Sequence, residues 1–207
     1  LIFTAQSGIN GNYHHNIKKI TLAGTADVSV YQTLLQSVKY YTSNENPTGS
    51  ASSRTLTVQW EVRDANSDNT SAQLSNLGSS TIIITPTNDA PWFTSMNNTI
   101  EYTENSTGAI IDNSITISDH DDAYITNGTV TISTGYTIGD ILTLVPPSGI
   151  GTTYNAGVLT ITGTKSIGVY RNLLETITFH STSQDPTSNS ATSRTISWIV
   201  TDANSQN

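Results

Sequence analysis

Carboxylates crowd into one short segment of the chain, Asp119-His120-Asp121-Asp122, which follows an alternating stretch that predicts a β-strand. Asp119 and Asp121 are separated by one residue, so both side chains can point the same way. Such crowding is repulsive unless a cation bridges it, although a solvent-exposed turn tolerates it at little cost. Calcium binds about six to eight oxygen atoms, which Asp, Glu and Asn in turns supply. The spacing is therefore typical of a calcium site and also of a solvated acidic turn.

A second polar segment, Asn88-Asp89-Ala90-Pro91, lies between two stretches that predict strands. The strand before it is Thr81-Ile82-Ile83-Ile84-Thr85, and the one after it begins near Trp92. Pro86 and Pro91 stiffen this segment and stop strand pairing, because proline lacks a backbone donor. Its position predicts a domain boundary.

An internal repeat relates the beginning of the chain to its end. The segment VYQTLL at Val30–Leu35 returns as VYRNLL at Val169–Leu174, and Tyr31 and Tyr170 are 139 residues apart. Further pairs are Gly24-Thr25 with Gly163-Thr164, Arg54-Thr55 with Arg194-Thr195, and Asp64-Ala65-Asn66 with Asp202-Ala203-Asn204. Residues 1 to about 69 therefore correspond to 142–207, and the stretch between them occurs once.

The composition and the spacing of turns predict an all-β fold. Methionine occurs once and Lys plus Arg only 8 times, while abundant Thr, Ser, Asn, Ile and Val favour strands and turns. Short alternating runs such as Thr55–Val62 are broken at intervals of about ten residues, as in a β-sandwich. Helical spacing occurs at Tyr31–Val38 and Tyr170–Ile177, where we expect a single turn leading into a strand.

The repeat and the boundary predict the domain organisation. We expect residues 1–87 to form a first repeat without its opening strands, 88–91 to form a linker, and 92–207 to form a second repeat without its last strand. The chain is thus expected to be an excerpt of a longer protein.

Several classes of function are disfavoured. The formal net charge of -8 gives no basic field for nucleic acid, and no apolar run reaches the length of a membrane span. The chain has no cysteine and no local signature of a catalytic nucleophile, so we predict no disulfide and no enzyme.

Taken in order, these features resemble the cadherin-like repeats of giant bacterial surface adhesins, including the RTX class exported by type I secretion. The residues that carry the resemblance are the linker Asn88–Pro91, the segment Glu101–Glu104, Asp119 with Asp121, Gly163-Thr164 before Tyr170–Leu174, and Thr201-Asp202. The chain departs from the pattern in two respects. Its linker is shorter and less acidic than that of animal cadherins, and the glycine- and aspartate-rich nonapeptides of RTX export regions are absent.

The resemblance implies tandem antiparallel Greek-key β-sandwich domains of the cadherin-like and Ig-like type, with Ca²⁺ at each junction. Carried onto this chain, the implied ligands at the internal junction are Asn88 and Asp89 of the linker with Asp119, Asp121 and Asp202 of the second repeat. Asp122 is a further candidate metal ligand. Asp64, the counterpart of Asp202, would serve the preceding junction. Glu104 would serve the following junction or cap this one.

The function implied is a calcium-rigidified extender, or stalk, of an extracellular bacterial surface protein that supports cell adhesion or biofilm formation. Its partners would be the neighbouring repeats of the same chain and, through other domains, a host-cell or matrix surface. The alternative is a module of the same adhesin that binds a glycan or a protein. For that alternative, the candidate aromatic side chains are Trp92, Phe93, Tyr13 and Tyr154.

Overall fold

The computed structural model describes residues 1–66, 69–96, 98–188 and 192–204, and it consists mostly of antiparallel β-strands. Two compact units are present: Leu1–Pro47 with Arg54–Ile84 form unit 1, and Thr48–Ser53 with Thr85–Asn207 form unit 2. The predicted all-β class agrees with this content of strands. Within the described ranges, neither helix has the length and apolar character needed to cross a bilayer.

Among its described residues, unit 1 contains four strands and one helix. They are β1 (Asn10–His14), β2 (Lys19–Ala23), α1 (Val28–Gln36), β3 (Arg54–Trp60) and β4 (Gly78–Ile84). The strands form two antiparallel pairs, β1 with β2 and β3 with β4. Alternation along β3 is as predicted, since Leu56, Val58 and Trp60 are half-buried while Thr57 and Gln59 are exposed.

Unit 2 contains nine strands and one helix among the described residues. They are β5 (Trp92–Ser95), β6 (Ala109–Ile110), β7 (Thr116–Ser118), β8 (Tyr124–Thr134), β9 (Asp140–Thr143), β10 (Gly151–Asn155), β11 (Val158–Ser166), α2 (Ile167–Leu174), β12 (Thr178–Ser181) and β13 (Thr195–Asp202). A four-stranded sheet has the order β10-β11-β8-β13, a three-stranded sheet has the order β6-β12-β9, and β5 pairs with β7.

One apolar core unites the two larger sheets of unit 2 with α2. From β8 the buried side chains Val130 and Ile132 alternate with threonines, which produces the one-sided burial of a half-buried strand. Gly128 lies on the same face, and a Cβ atom placed there would be 3.5 Å from Cε1 of Tyr170. That is an ordinary van der Waals distance, so Tyr170 of α2 packs closely against the sheet at Gly128.

Both helices are longer than the sequence predicts. The expectation of a single turn leading into a strand is wrong, because α1 has nine residues and α2 has eight. In α2 the side chain of Ser166 caps the helix by accepting a hydrogen bond from the backbone of Val169 at 3.4 Å. Tyr170, Leu173 and Leu174 are buried at helical spacing, so the start of the helix was missed while its core face was predicted.

A buried ion pair lies at the end of the four-stranded sheet where β13 begins. Arg194, just before β13, donates to both carboxylate oxygens of Asp140, and the backbone of Thr137 donates to the same carboxylate at 2.9 Å. The side chain of Asp140 is 0% exposed and that of Arg194 is 11% exposed. Burial alone would raise the pKa of Asp140, but the hydrogen bonds from Arg194 and Thr137 and the charge of Arg194 hold that pKa below its ordinary value.

Replacing Asp140 with Asn should destabilise unit 2. The change keeps the shape of the side chain but leaves the Arg194 guanidinium without a counter-charge, and breaking a buried pair in this way costs about 3 kcal/mol or more. Urea unfolding followed by tryptophan fluorescence measures the loss. Asp27→Asn is the matched control, because Asp27 is exposed and makes no side-chain cap bond. A loss no larger than that of the control would contradict a stabilising role for the pair.

The same pair predicts a pH dependence. Because the folded pKa of Asp140 lies below its unfolded value, its contribution is fully present above the unfolded pKa and is lost as the pH falls through the folded pKa. Unfolding free energies measured from neutral to acidic pH should therefore converge for the parent and Asp140→Asn proteins. Parallel curves over that range would mean that the carboxylate charge contributes nothing.

Candidate metal centre

The acidic segment predicted from the sequence forms the connection between β7 and β8. Asp119 follows the last residue of β7, and its Oδ1 accepts hydrogen bonds from the backbone of Asp121 at 3.0 Å and of Asp122 at 2.8 Å. Such a side-chain bond to the backbone two residues on shapes a tight turn. The turn directs Asp121 and Asp122 inward, and each is only 5% exposed. The three carboxylates therefore do not form a freely solvated turn.

The predicted linker contacts this acidic turn. The backbone N–H of Asp89 faces the carboxylate of Asp121, with its nitrogen 3.3 Å from each carboxylate oxygen. Nδ2 of Asn88 donates to Oδ2 of Asp202 at 3.1 Å. Two adjacent linker residues are thus bonded to two different elements of unit 2.

Asp202 reaches the same place because β13 runs antiparallel to β8. Asp202, the last residue of β13, pairs in register with Ile125 near the start of β8. The hydroxyl of Thr126 donates to the backbone oxygen of Asp202 at 2.8 Å, and the backbone of Ala203 donates to that of Tyr124 at 3.1 Å. The end of β13 therefore lies beside the acidic turn that precedes β8.

Two oxygen atoms of this cluster are buried and lack a hydrogen-bond partner. They are Oδ1 of Asn88 and Oδ2 of Asp119, and the described residues contain three further buried side-chain atoms of this kind elsewhere. A buried polar atom without a partner costs free energy and requires an explanation, such as a bound ion or water. An amide oxygen and a carboxylate oxygen are both ligands that calcium accepts. This part of the donor set therefore fits the cation that the resemblance implies.

The electrostatics of the cluster favour added positive charge. Burial raises the pKa of Asp121, and the side-chain hydrogen bond and charge of Asp119, together with the charge of Asp89, raise it further. The backbone N–H of Asp89 acts in the opposite direction. A carboxyl group in this environment is stabilised by a proton or by a cation that neutralises its neighbours.

Two predicted ligands lie elsewhere. Asp64 is in unit 1 and is exposed, where its Oδ1 accepts from the backbone of Asn66 at 3.0 Å and of Gln73 at 3.1 Å. Glu104 is in an exposed turn of unit 2 and accepts a hydrogen bond from Nδ2 of Asn105 at 3.3 Å. The structure therefore brings together Asn88, Asp89, Asp119, Asp121, Asp122 and Asp202, without Asp64 or Glu104.

The strand registers place Glu104 at the opposite end of unit 2 from the cluster. Asn105, beside Glu104, accepts from Gln184, and Tyr102 bonds to Ser181. Ser181 pairs with Asp140, whose ion-pair partner Arg194 immediately precedes β13. Asp202 is the last residue of β13, which is eight residues long. At about 3.3 Å per residue, the two ends of β13 lie roughly 20 Å or more apart.

Sequence reasoning missed two features of the cluster. Asn204 has a positive φ of 45° and its backbone donates to Oδ1 of Asp202 at 2.9 Å, which repeats the turn that Asn66 makes with Asp64 in unit 1. The repeated Asp-Ala-Asn triplet was the available signal for it. His120 stacks against Trp92, with ring centroids 4.6 Å apart, and its position between two aspartates gave no signal for that contact.

A preformed metal geometry is absent from the described residues, since no group of three or more His, Asp or Glu side chains is arranged there to hold an ion. The acidic oxygens are close together but engaged: Asp119 with its own turn, Asp121 with Asp89, and Asp202 with Asn88. Cation binding requires some of these groups to exchange backbone or amide donors for the ion. Comparison with protein-family models, curated proteins and solved structures gives no match.

Replacing Asp121 with Asn should stabilise the calcium-free protein. The change removes a buried negative charge beside Asp119 and Asp89 while keeping an oxygen that accepts from the Asp89 backbone, so the urea midpoint of unit 2 should rise in chelator. Because the folded pKa of Asp121 is raised, the advantage is present above that pKa and disappears as the pH falls through it and the parent carboxyl group is protonated. Asp185→Asn, on an exposed turn, is the control. A lowered midpoint would show that the Asp121 charge stabilises the empty site.

Proposed function

We propose that this chain is part of the calcium-rigidified extender of a large bacterial cell-surface adhesin, built from tandem cadherin-like repeats. The observation that carries the proposal is the convergence of the linker, the acidic turn and the end of β13. Asn88 and Asp89 contact Asp202 and Asp121 respectively, although more than 100 residues separate Asn88 from Asp202. A linker bound to the domain that follows it is what a rigid joint requires.

In this proposal, Ca²⁺ is held by the oxygens of Asn88, Asp89, Asp119, Asp121, Asp122 and Asp202. The ion supplies the positive charge that these buried carboxylates lack, and it fixes the linker to unit 2. Binding only to the folded state stabilises that state, by about 2.7 kcal/mol when free calcium is about 100 times the dissociation constant. Extracellular calcium is millimolar, so a site of modest affinity is filled.

The proposal extends to the fold of unit 2. We assign unit 2 as a Greek-key β-sandwich of the cadherin-like or Ig-like type, because two antiparallel sheets contribute to one core. In the larger sheet β8 lies between β11 and β13, so neighbours in space are far apart in sequence, as in Greek-key connections. Asp64 is assigned to the preceding junction and Glu104 to the following junction. The location of Glu104 at the end of unit 2 opposite the acidic cluster supports its assignment.

The alternative of a glycan- or protein-binding module has less support. Of its four aromatic candidates, Phe93 and Tyr154 pack against the core of unit 2, and the hydroxyl of Tyr154 donates to the backbone of Asp140 at 2.6 Å. Trp92 is 38% exposed but stacks on His120 of the acidic turn. Tyr13 makes an edge contact with His15. These rings form no common platform within a unit, so the extender is favoured, with a non-enzymatic, extracellular role and neighbouring repeats as its partners.

Calorimetric titration should distinguish the proposed ligands from other acidic groups. The double variant Asp119→Asn with Asp121→Asn removes two charges while keeping the shape of both side chains, so its calcium affinity should fall by about tenfold or more. The matched control is Asp27→Asn with Asp185→Asn, which removes two exposed charges and should leave the affinity unchanged. Equal affinities for the two double variants would show that the site lies elsewhere.

Calcium should also restrict the joint at the linker. Small-angle X-ray scattering of the 207-residue chain should report a larger maximum dimension in calcium than in chelator, because bridged carboxylates hold the linker in one conformation. The melting temperature of unit 2 should rise in parallel. Identical scattering and melting with and without calcium would contradict the extender mechanism, even if weak binding were detected.

A further inference from the structure

The outer edge of β10 in unit 2 is an unpaired strand edge. β10 stands at one end of the sheet order β10-β11-β8-β13, and β11 is its only partner among the described residues. In unit 1, β4 pairs with β3, which the internal repeat relates to β13, so this further strand joins the other end of the sheet. β1, the counterpart of β10, is also paired on one side only.

The turn after β10 determines which backbone groups face the open edge. Residues 156–157 connect β10 to β11 with φ values of 45° and 86°, as in a type I′ hairpin. Asn155 and Val158 flank this turn as a hydrogen-bonded pair, and such pairs alternate along an antiparallel ladder. Thr152 and Tyr154 therefore direct their backbone N–H and C=O groups to the open edge, where no described residue bonds to them.

This edge lacks the features that protect other strand edges of unit 2 from pairing. β10 has five residues, with no proline, no charged side chain and no register shift. By contrast, β6 has two residues, β7 has three, and β5 follows Pro91 and contains a register shift. No Asp, Glu, Lys or Arg occurs from Ile141 to Thr164, although the chain has a net charge of -8. An uncharged, regular edge is a template for another strand.

The side chain of Tyr154 holds β10 in position. Its ring packs against the core of unit 2, and its hydroxyl donates to the backbone oxygen of Asp140 at 2.6 Å. Asp140 is itself fixed by the buried ion pair with Arg194. The open edge is therefore preformed, which lowers the ordering cost of binding a strand.

The sequence of β10 suits antiparallel pairing with a second β10. If a two-fold axis passes through Thr153, Thr152 of each copy lies opposite Tyr154 of the other, and the backbone groups that face the edge all find partners. Each such pair joins an aromatic to a β-branched side chain, a favourable combination. A register centred on Thr152 would need the N–H of Ile150, which is already bonded in its own loop at 3.1 Å. One centred on Tyr154 would need Ala156, which lies in the turn.

We propose that β10 is a self-association site, at which two copies of the chain pair antiparallel through their β10 edges about a two-fold axis at Thr153. The two four-stranded sheets then form one continuous sheet. A contact of one short strand per copy belongs to the class of small, weak interfaces, below about 1,200 Å². It uses none of the proposed calcium ligands and does not depend on the proposed extender function.

Disulfide trapping tests the axis directly, because the chain has no cysteine. In the proposed dimer the two Thr153 residues form a non-hydrogen-bonded pair with Cα atoms about 4.5 Å apart, which is within disulfide range. The full-length Thr153→Cys chain in chelator with oxidised glutathione should therefore give linked dimers. Asn155→Cys is the matched control, since Asn155 is exposed on the same strand but its two copies would lie about 13 Å apart. Its dimers should form at least about tenfold more slowly.

Sedimentation equilibrium of the parent chain in chelator should show a weak monomer–dimer equilibrium. Thr153→Lys should weaken it about tenfold or more, because two like charges would face each other across the axis. Thr160→Lys is the control, since Thr160 pairs with Thr153 on the neighbouring strand. Its two copies would be about 14 Å apart, where salt at about 0.15 M screens them, so the dimer should persist.

Four results would each overturn the proposal. They are a parent chain that stays monomeric, equal rates of linkage for the two cysteine variants, equal effects of the two lysine variants, and association that requires calcium. Because all measurements are made in chelator, a failure of the proposed calcium site would leave them unchanged.

Discussion

The pairing of β8 along both of its edges is the constraint on which unit 2 depends. Its backbone is hydrogen-bonded to β11 on one side and to β13 on the other, and its inward side chains, among them Val130 and Ile132, lie in the core. On that inward face Gly128 lies against the ring of Tyr170, whose hydroxyl reaches Gly163. The packing of α2 over the sheet therefore depends on this strand.

The same strand assembles the acidic cluster. The turn with Asp119 and Asp121 immediately precedes β8, and antiparallel pairing brings the last residue of β13, Asp202, beside the start of that strand. A shift of one residue in this register would turn the side chain of Asp202 to the other face of the sheet. Burial and neighbouring charge oppose the cluster, as the raised pKa of Asp121 shows. The pairing and apolar burial of β8 keep the carboxylates close together in spite of that repulsion.

Sequence reasoning predicted what depends on local pattern and missed what depends on long-range pairing. Alternation identified the strands that became β3 and β7, and the repeat together with the resemblance selected the residues that the structure brings together around Asp121. Their role as calcium ligands stays a prediction. The ion pair between Asp140 and Arg194 joins residues 54 positions apart, and no local pattern marks either residue as buried. The helices were predicted too short because the helical spacing of apolar residues begins at Tyr31 and Tyr170, while the helices themselves begin three residues earlier, at Val28 and Ile167.

The two units separate these local and long-range contributions within one chain. The turn of Asp64 with Asn66 and that of Asp202 with Asn204 have the same backbone bond and the same left-handed asparagine, and each tyrosine makes its bond to the glycine seven residues earlier. These features need only a few neighbouring residues, so they form in both units. Burial is alike at some equivalent positions, since Leu34 and Leu173 are both buried, and differs at others, since Tyr170 is completely buried and Tyr31 only partly. Equivalent residues therefore form the same local contacts in both units, while the full burial of Tyr170 also involves packing against Gly128 of β8.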